Sequence, residues 1–504
     1  MNPWAWSTTN GGADSILTRH NSGNQFSVGI HDKAEENKLR MKLKNRFKWI
    51  GGRKSWEDFG ETTSLHGLKY ITSSHSSGFR KLLWMFIMIA LFAWLIAGLT
   101  TNILNFAAFP VATVVTLNYV ENLSFPAITI CNYNQWRASY VKETDAELLR
   151  LMFPSLQTSE SDIDWSDYDF SDRNITADII RGAHQKENMI IDCMWKNINP
   201  CTYQNFTMSI TDFGVCYTFN HPSDEKNILM VKETGSDYGL SLRLNVEQDE
   251  YLNGNNKGAG FKILTHSQGV YPFVKQLGFA VSPGFETLVS LKFTKLQNLP
   301  GPYEFQCLEK KLKYAAKYTV EACQTECRVD YIIGKCGCKN YNMPGNVRVC
   351  DPKEIHECVK PASANYTREG LVCHCPIPCL REVYQSRVSS AFWPAQHITK
   401  ELQVTLNQTE EHIRKNYLDI VIYFEELSFE EIRQVAAYDA STLQSDIGGY
   451  MGLLLGASAI TVCELIDFAI LNLVDRIKRR RERKQTKLLE IKKNQQIPTS
   501  VSLA

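Results

Sequence analysis

Between Lys81 and Glu121 the chain carries no charged residue, and from Leu82 to Leu104 it reads LLWMFIMIALFAWLIAGLTTNIL. No other feature limits the possible folds as strongly. A helix over this run is long enough to cross a bilayer core of roughly 30 Å. Its apolar side chains cover every face, which argues against a helix buried in a soluble domain. The run starts too far in for a cleaved signal peptide, and nothing like one precedes it. A second apolar segment, IGGYMGLLLGASAITVCELIDFAILNLV, spans Ile447 to Val474. It is rich in glycine and carries Glu464 and Asp467. Acids within a span face a water-filled path or a partner, and near its inner end they can also reach the headgroups.

Basic residues set the orientation. Arg40, Lys42, Lys44, Arg46, Lys48, Arg53, Lys54, Arg80 and Lys81 precede the first segment, and Arg476, Lys478 to Arg481, Arg483 and Lys484 follow the second. The positive-inside rule then places both termini in the cytosol and the middle section outside a plasma membrane. Topology marking is a commoner reason for the C-terminal basic run than phosphoinositide attraction. The division expected is a cytosolic region 1–81, a first span 82–105, an extracellular domain 106–438, a second span 439–474 and a basic cytosolic tail 475–504. With 504 residues and a formal net charge of +1, composition suggests no nucleic-acid role.

Of the 15 cysteines, all but Cys463 fall in the middle section, as an oxidising compartment leads one to expect. Sequons at Asn174, Asn205, Asn365 and Asn407 lie there too, with another at Asn122 close to the membrane. Cys323 and Cys327 are four apart in a run from Cys307 that reads as a helix. Cys373 and Cys375 are two apart in LVCHCPIPC, which reads as an extended strand. Four helical residues rise about 6 Å and two strand residues about 6.5 Å, so the two pairs can meet as parallel rungs. Chain order favours an antiparallel ladder, Cys323 with Cys375 and Cys327 with Cys373, with Cys307 and Cys379 placed to close a further rung. Cys336 and Cys338 then pair with Cys358 and Cys350. Spacing alone does not fix connectivity. The competing reading, a zinc site at Cys336-Gly337-Cys338 and Cys373-His374-Cys375, needs reduced thiols and wider gaps.

The first forty or so residues have a disordered composition. In the middle section, GLSLRLNVEQ and GFKILTHS alternate as strands, TDAELLRLMF reads as a helix, and NQTEEHIRKNYLDIVIYFEEL reads as a helix followed by a strand. Together they predict an α+β domain on an antiparallel sheet. The acidic stretch Ser159–Asp172 reads as a solvated loop, and the residues beyond the basic run read as a flexible tail.

Several motifs recur in a recognisable order: Leu65-His66-Gly67 before the first span, and Phe125-Pro126-Ala127-Ile128-Thr129-Ile130-Cys131-Asn132 after it. Then come Gln248-Asp249-Glu250-Tyr251, Gln276-Leu277-Gly278-Phe279, and Asp446-Ile447-Gly448-Gly449 leading to Gly456-Ala457-Ser458. Over roughly residues 59 to 475 the chain resembles the degenerin and epithelial sodium channel superfamily, and within it the acid-sensing ion channels. The resemblance implies a trimeric, amiloride-sensitive, sodium-selective cation channel, as a homotrimer or with related subunits. It implies no cofactor besides the permeant sodium ion. It adds bridges Cys131–Cys216 and Cys193–Cys201.

By the same resemblance, Gly456, Ala457 and Ser458 form the selectivity motif, where the second helix breaks and backbone groups ring the narrowest point. On its own, the Gly448, Gly452, Gly456 series reads as helix packing. Gly452 matches the position tied to amiloride block. Ser445 matches the site where bulky side chains hold the gate open, and Asp446 places acids at the outer mouth. Glu464 and Asp467 place acids at the inner end, and His66-Gly67 matches a gating motif on a re-entrant cytosolic loop.

The stimulus is left open among protons, a neuropeptide, force and constitutive opening. Asp249 and Glu250 match half of an acidic pocket, but Lys360 and Ala364 stand where the opposing acids belong, and Pro110 and Val111 replace a histidine pair. A lysine facing those acids favours their ionised form and weakens an acid switch. Rival readings are an ATP-gated trimeric channel and a two-span receptor or adhesion protein without a pore. The receptor reading gives the glycines and acids of the second span no role. An enzyme is the least supported reading: no phosphate loop, nucleophile elbow or zinc-protease motif is present, and Asp249 and Glu250, as neighbours on a strand, would point oppositely.

Overall fold

The computed structural model describes residues 56–143, 165, 169–170, 173–221, 227–252, 257–370 and 372–494, with side chains to 487. The N-terminal stretch expected to be disordered, basic residues Arg40 to Lys54, the helix expected over 144–153, most of the loop expected over 159–172 and the last ten residues lie outside these. The chain divides into two compact units, a strand-rich one, Leu104–Ala440, and a helical one formed by the flanking segments Met1–Ile103 and Ser441–Ala504.

The strand-rich unit holds a seven-stranded sheet. Its members are β1 (Val111–Tyr119), β4 (Ile190–Trp195), β5 (Asn199–Pro200), β9 (Leu240–Asn245), β12 (Phe285–Gln297), β13 (Leu380–Phe392) and β14 (Tyr417–Ala436). Their order is β13-β12-β14-β9-β4-β5, with β1 also on β14. A five-stranded sheet, β11-β10-β3-β7-β6, uses β3 (Ala127–Asn132), β6 (Phe206–Thr211), β7 (Gly214–Phe219), β10 (Phe261–His266) and β11 (Phe279–Val281). A short pair joins β2 (Leu123–Ser124) to β8 (Met230–Val231). Pairing is antiparallel except between β12 and β14, which run parallel.

Sequence periodicity explains these strands. In β9, Leu240, Leu242 and Leu244 are fully buried while Ser241, Arg243 and Asn245 face the other way, the period-two pattern of a one-sided strand. Arg243 uses that second face for a two-pronged bond to Asp419 on β14, at 2.8 and 2.9 Å. Strand β3, central between β10 and β7, is buried at every position because both its faces are covered: Ile128 and Ile130 enter the main core, and Cys131 packs with Cys216 and Val274 in a second cluster. Phe125, Ile130, Leu242, Ile263 and Ile420 belong to one continuous core spanning both large sheets.

Seven disulfides brace this unit: Cys131–Cys216, Cys193–Cys201, Cys307–Cys379, Cys323–Cys375, Cys327–Cys373, Cys336–Cys358 and Cys338–Cys350. The ladder runs antiparallel, with Cα separations of 5.8 and 6.4 Å at its two rungs. Both sulfurs of each metal-like pair are oxidised, which removes the thiolates zinc requires. Two local readings need correcting. The helix carrying Cys323 and Cys327 begins at Val320, not near Cys307, because Thr319 caps it by accepting from the Ala322 amide. The segment around Cys373 and Cys375 is irregular rather than a strand and touches its neighbour through a bridge at Ile377.

Six helices matter below: α1 (Trp56–Thr62), α2 (Leu68–Thr72), α3 (Gly78–Ala107), α4 (Val320–Cys336), α5 (Ala440–Leu455) and α6 (Ala459–Asn494). Helix α3 is long and apolar enough to cross a membrane, and α5 with α6 is a bent apolar pair of the kind that forms a broken span or a re-entrant loop. Helix α6 does not stop at Val474. It continues through the basic run to Asn494, because Arg, Lys, Glu and Gln are good helix formers and Asp475 pairs with Arg479 one turn on, at 3.3 Å. The tail expected to be flexible is therefore helical as far as Asn494.

Candidate functional site

Helix α5 ends at Leu455 and α6 starts at Ala459, with the axis turning by 73° between them. The three intervening residues are Gly456, Ala457 and Ser458. Gly456 has φ 61°, a left-handed conformation that costs other residues strain. Ser458 restarts the helix by a reciprocal cap: its amide donates to Thr461 Oγ1 at 2.9 Å, and the Thr461 amide donates back to Ser458 Oγ at 3.4 Å. The break strips helical partners from nearby carbonyls. That of Leu455 accepts from the His66 amide at 3.0 Å. Those of Gly456 and Ala457 accept no backbone amide among the described residues.

The segment between α1 and α2 folds onto this break. A Cβ at Gly456 would run into the His66 imidazole, so the ring rests directly on that glycine. Gly67, at φ 88°, turns the chain into α2, and a Cβ there would lie 2.8 Å from Met88 Sδ. Just before them, Thr63 Oγ1 and the Ser64 amide donate to Glu464 Oε2 at 2.9 and 3.0 Å. The Ser64 hydroxyl also meets that of buried Thr461. Phe59 stacks on Phe468 at 4.4 Å between ring centres, which fixes α1 to α6.

The remaining candidates of this unit are more open. Ser445 is exposed, and Asp446 accepts from Asn102 Nδ2 at 3.3 Å. Among the described residues a Cβ at Gly448 or Gly452 would meet nothing within 4 Å, so the small-residue series faces open space there, whereas Gly456 is filled by His66. Asp467 and the free Cys463 are exposed. Glu464 is engaged by the loop before the first long helix. No motif announced Thr63, Ser64, Thr461, Phe59 or Phe468; the only sequence signal was the nearness of the first two to Leu65-His66-Gly67.

Asp249 and Glu250 sit on a 3-10 turn, Gln248–Glu250, not on a strand. Glu247 ahead of the turn has φ 50°, which ends β9 and sends the two acids to different partners. Asp249, largely exposed, lies 3.5 Å from His412 Nδ1. Glu250 accepts from the Ser139 amide at 2.8 Å. Burial pulls the Glu250 carboxyl up, but the Ser139 hydrogen bonds and the charges of Arg137 and His184 outweigh it and hold the group below the usual carboxylate range. The sequon residues Asn174, Asn205, Asn365 and Asn407 are all exposed.

Comparison with known proteins gives this geometry its class. The family model described as amiloride-sensitive sodium channel matches residues 59–468. The chain belongs to that family and is an ion-channel subunit of the degenerin and epithelial sodium channel kind, similar to the acid-sensing channels. It is 31% identical over 435 residues to acid-sensing ion channel 2 of Homo sapiens, covering 81% of this chain and 85% of that protein. Acid-sensing ion channel 2 of Danio rerio is 32% identical over 458 residues, covering 83% and 85%. Acid-sensing ion channel 1 of Gallus gallus is 31% identical over 440 residues, covering 82% and 83%.

Proposed function

We propose that three copies of this chain, or this chain with related subunits, form a sodium-selective, amiloride-sensitive channel in the plasma membrane. Helix α3 and the α5–α6 pair are the two spans, both termini are cytosolic, and the strand-rich unit is extracellular and glycosylated at the four sequons. Gly456, Ala457 and Ser458 ring the narrowest point. The observation that carries this reading is the pair of carbonyls at Gly456 and Ala457 that accept no backbone amide among the described residues at the break. Such carbonyls are tolerable at membrane depth only where they face water or replace the water around an ion. The open faces of Gly448 and Gly452 support close approach of neighbouring helices around an axis, with amiloride lodging at Gly452.

In this scheme Ser445 and Asp446 line the outer gate, and Asp467 adds negative charge at the inner end. Glu464 anchors the His66-Gly67 loop besides contributing charge. The stimulus acts on the extracellular unit. A peptide ligand or constitutive opening fits better than acid at Asp249 and Glu250, because Glu250 is held as a carboxylate. Expression of this chain alone in oocytes tests the proposal, with sodium replaced by a large cation, amiloride added, pH stepped to about 5, where raised carboxylates protonate, and a peptide panel applied. Sodium current blocked by amiloride supports it. Surface protein that stays silent under every stimulus, even with a bulky residue at Ser445, favours a receptor without a pore.

A further inference from the structure

A cavity of about 800 Å³ lies in the strand-rich unit where the start of α4 meets β10 and β13. Its walls include Leu264, Phe273 and Tyr384, which give it an apolar, aromatic lining. Ser267 also lines it and is only 5% exposed. Its hydroxyl has no hydrogen-bond partner among the described residues, and a buried polar group left so costs roughly 1–3 kcal/mol. Thr319, Val320 and Glu321, at the cap and first turn of the 17-residue helix α4, line the same space. Thr319 Oγ1 takes the Ala322 amide, while the amides of Val320 and Glu321 have no acceptor within the helix. A helix start of this kind favours negative charge.

The rim is mixed in sign but leans positive. Lys310, Lys311 and Lys317 are exposed at the cavity, and none pairs with a carboxylate among the described residues. The Lys317 stem lies over the Gly269 turn, 3.5 Å from where a Cβ would stand. Arg381 is held by Glu321 at 3.6 Å. Glu309 and Glu382 are the remaining acids, one fewer anion than cations around the cavity once Glu321 is included.

We propose that this cavity binds a small organic anion, a carboxylate on an aromatic or apolar body. The body fills the space beside Phe273 and Tyr384, and the Ser267 hydroxyl bonds a polar atom on it. The carboxylate sits at the first turn of α4, under Lys317. The volume suits such a molecule, since ligand cavities run to roughly 300–1,000 Å³. This inference does not depend on the pore reading, because binding can be read without current.

Titration calorimetry on the purified full-length chain tests it, using N-benzoyl-phenylalanine as the probe and its neutral primary amide as the control. The acid is expected to bind saturably, one per chain, and about tenfold more tightly than the amide, as a charge-assisted contact implies. Lys317→Glu, an exposed change whose folding a thermal scan verifies, is expected to abolish that preference while leaving the amide's affinity unchanged. Ser267→Ala is expected to weaken both ligands about equally. No saturable binding, equal affinity for acid and amide, or a preference that survives Lys317→Glu overturns the proposal.

Discussion

Leu240, Leu242 and Leu244 on β9 disappear into a continuous core, while Leu453, three residues before the helix break, is 85% exposed and Gly448 and Gly452 face open space. The strand-rich unit has a continuous apolar core of its own, although Phe392 and Val404 stay exposed, and adds seven covalent ties. The helical unit leaves much apolar surface outward; inside it are a small apolar cluster of Leu95, Leu455 and Ala457, the Phe59–Phe468 stack, the His66 imidazole on Gly456 and Glu464 on the Thr63-Ser64 segment. The first can be stiff without neighbours. The second leaves apolar faces open, of the kind that lipid or other helices cover in a membrane protein.

The largest test of that contrast removes covalent bracing. Cys131→Ser with Cys216→Ser opens a bridge spanning 85 residues and is expected to cost about 4–5 kcal/mol on the loop-entropy model. Opening Cys193–Cys201, which spans 8 residues, should cost about 2–3 kcal/mol on the same model. Thermal scans and surface yield read the order; equal losses would mean that loop length does not set what each bridge contributes.

Next comes acid. Burial lowers His266, hydrogen-bonded to Thr129, to about 4. The unfolded chain therefore takes up a proton near pH 6.5 that the folded chain refuses. Stability is full above that point and falls as pH drops toward 4, by about 3 kcal/mol at most. His266→Gln is expected to flatten this fall in thermal scans across pH; an unchanged slope would contradict it.

Gly456→Ala probes the helical unit. The left-handed backbone costs roughly 1–2 kcal/mol for a non-glycine residue, and the new methyl displaces His66. Current per surface channel is expected to drop about tenfold, a factor equivalent to 1.4 kcal/mol, with His66→Ala restoring part of it. Normal current in the single variant would remove His66 from the break. The smallest expected effect is at Thr63→Val, which deletes one bond to Glu464 worth about 1 kcal/mol. Glu464→Gln, which keeps an acceptor, should alter opening less than Glu464→Ala.

Much of this architecture could be read in advance. The two apolar segments and the strand alternation in Leu240–Asn245 follow from hydropathy, and chain order favours the antiparallel rungs at Cys323 and Cys327, although spacing alone leaves their pairing open. The position of the helix break came from resemblance, since Gly448, Gly452 and Gly456 alone look like a packing stripe. Other features were hidden for physical reasons. Thr63 and Glu464 are about four hundred residues apart, and nothing local to either predicts their bond. Asp249 and Glu250 follow an alternating strand, and only the left-handed Glu247 ends it. Thr319 was a readable cap signal, yet the lysine-rich run before it mimics a helix.

In the proposed reading the residues between α5 and α6 line the path of the ion. The bi-ionic reversal potential, sodium outside and potassium inside, tests it most directly in the unmodified chain and in Ser458→Ala. A strongly positive potential that falls toward zero in the variant, at equal surface expression, is the result expected. The same potential in both would place the ion path elsewhere.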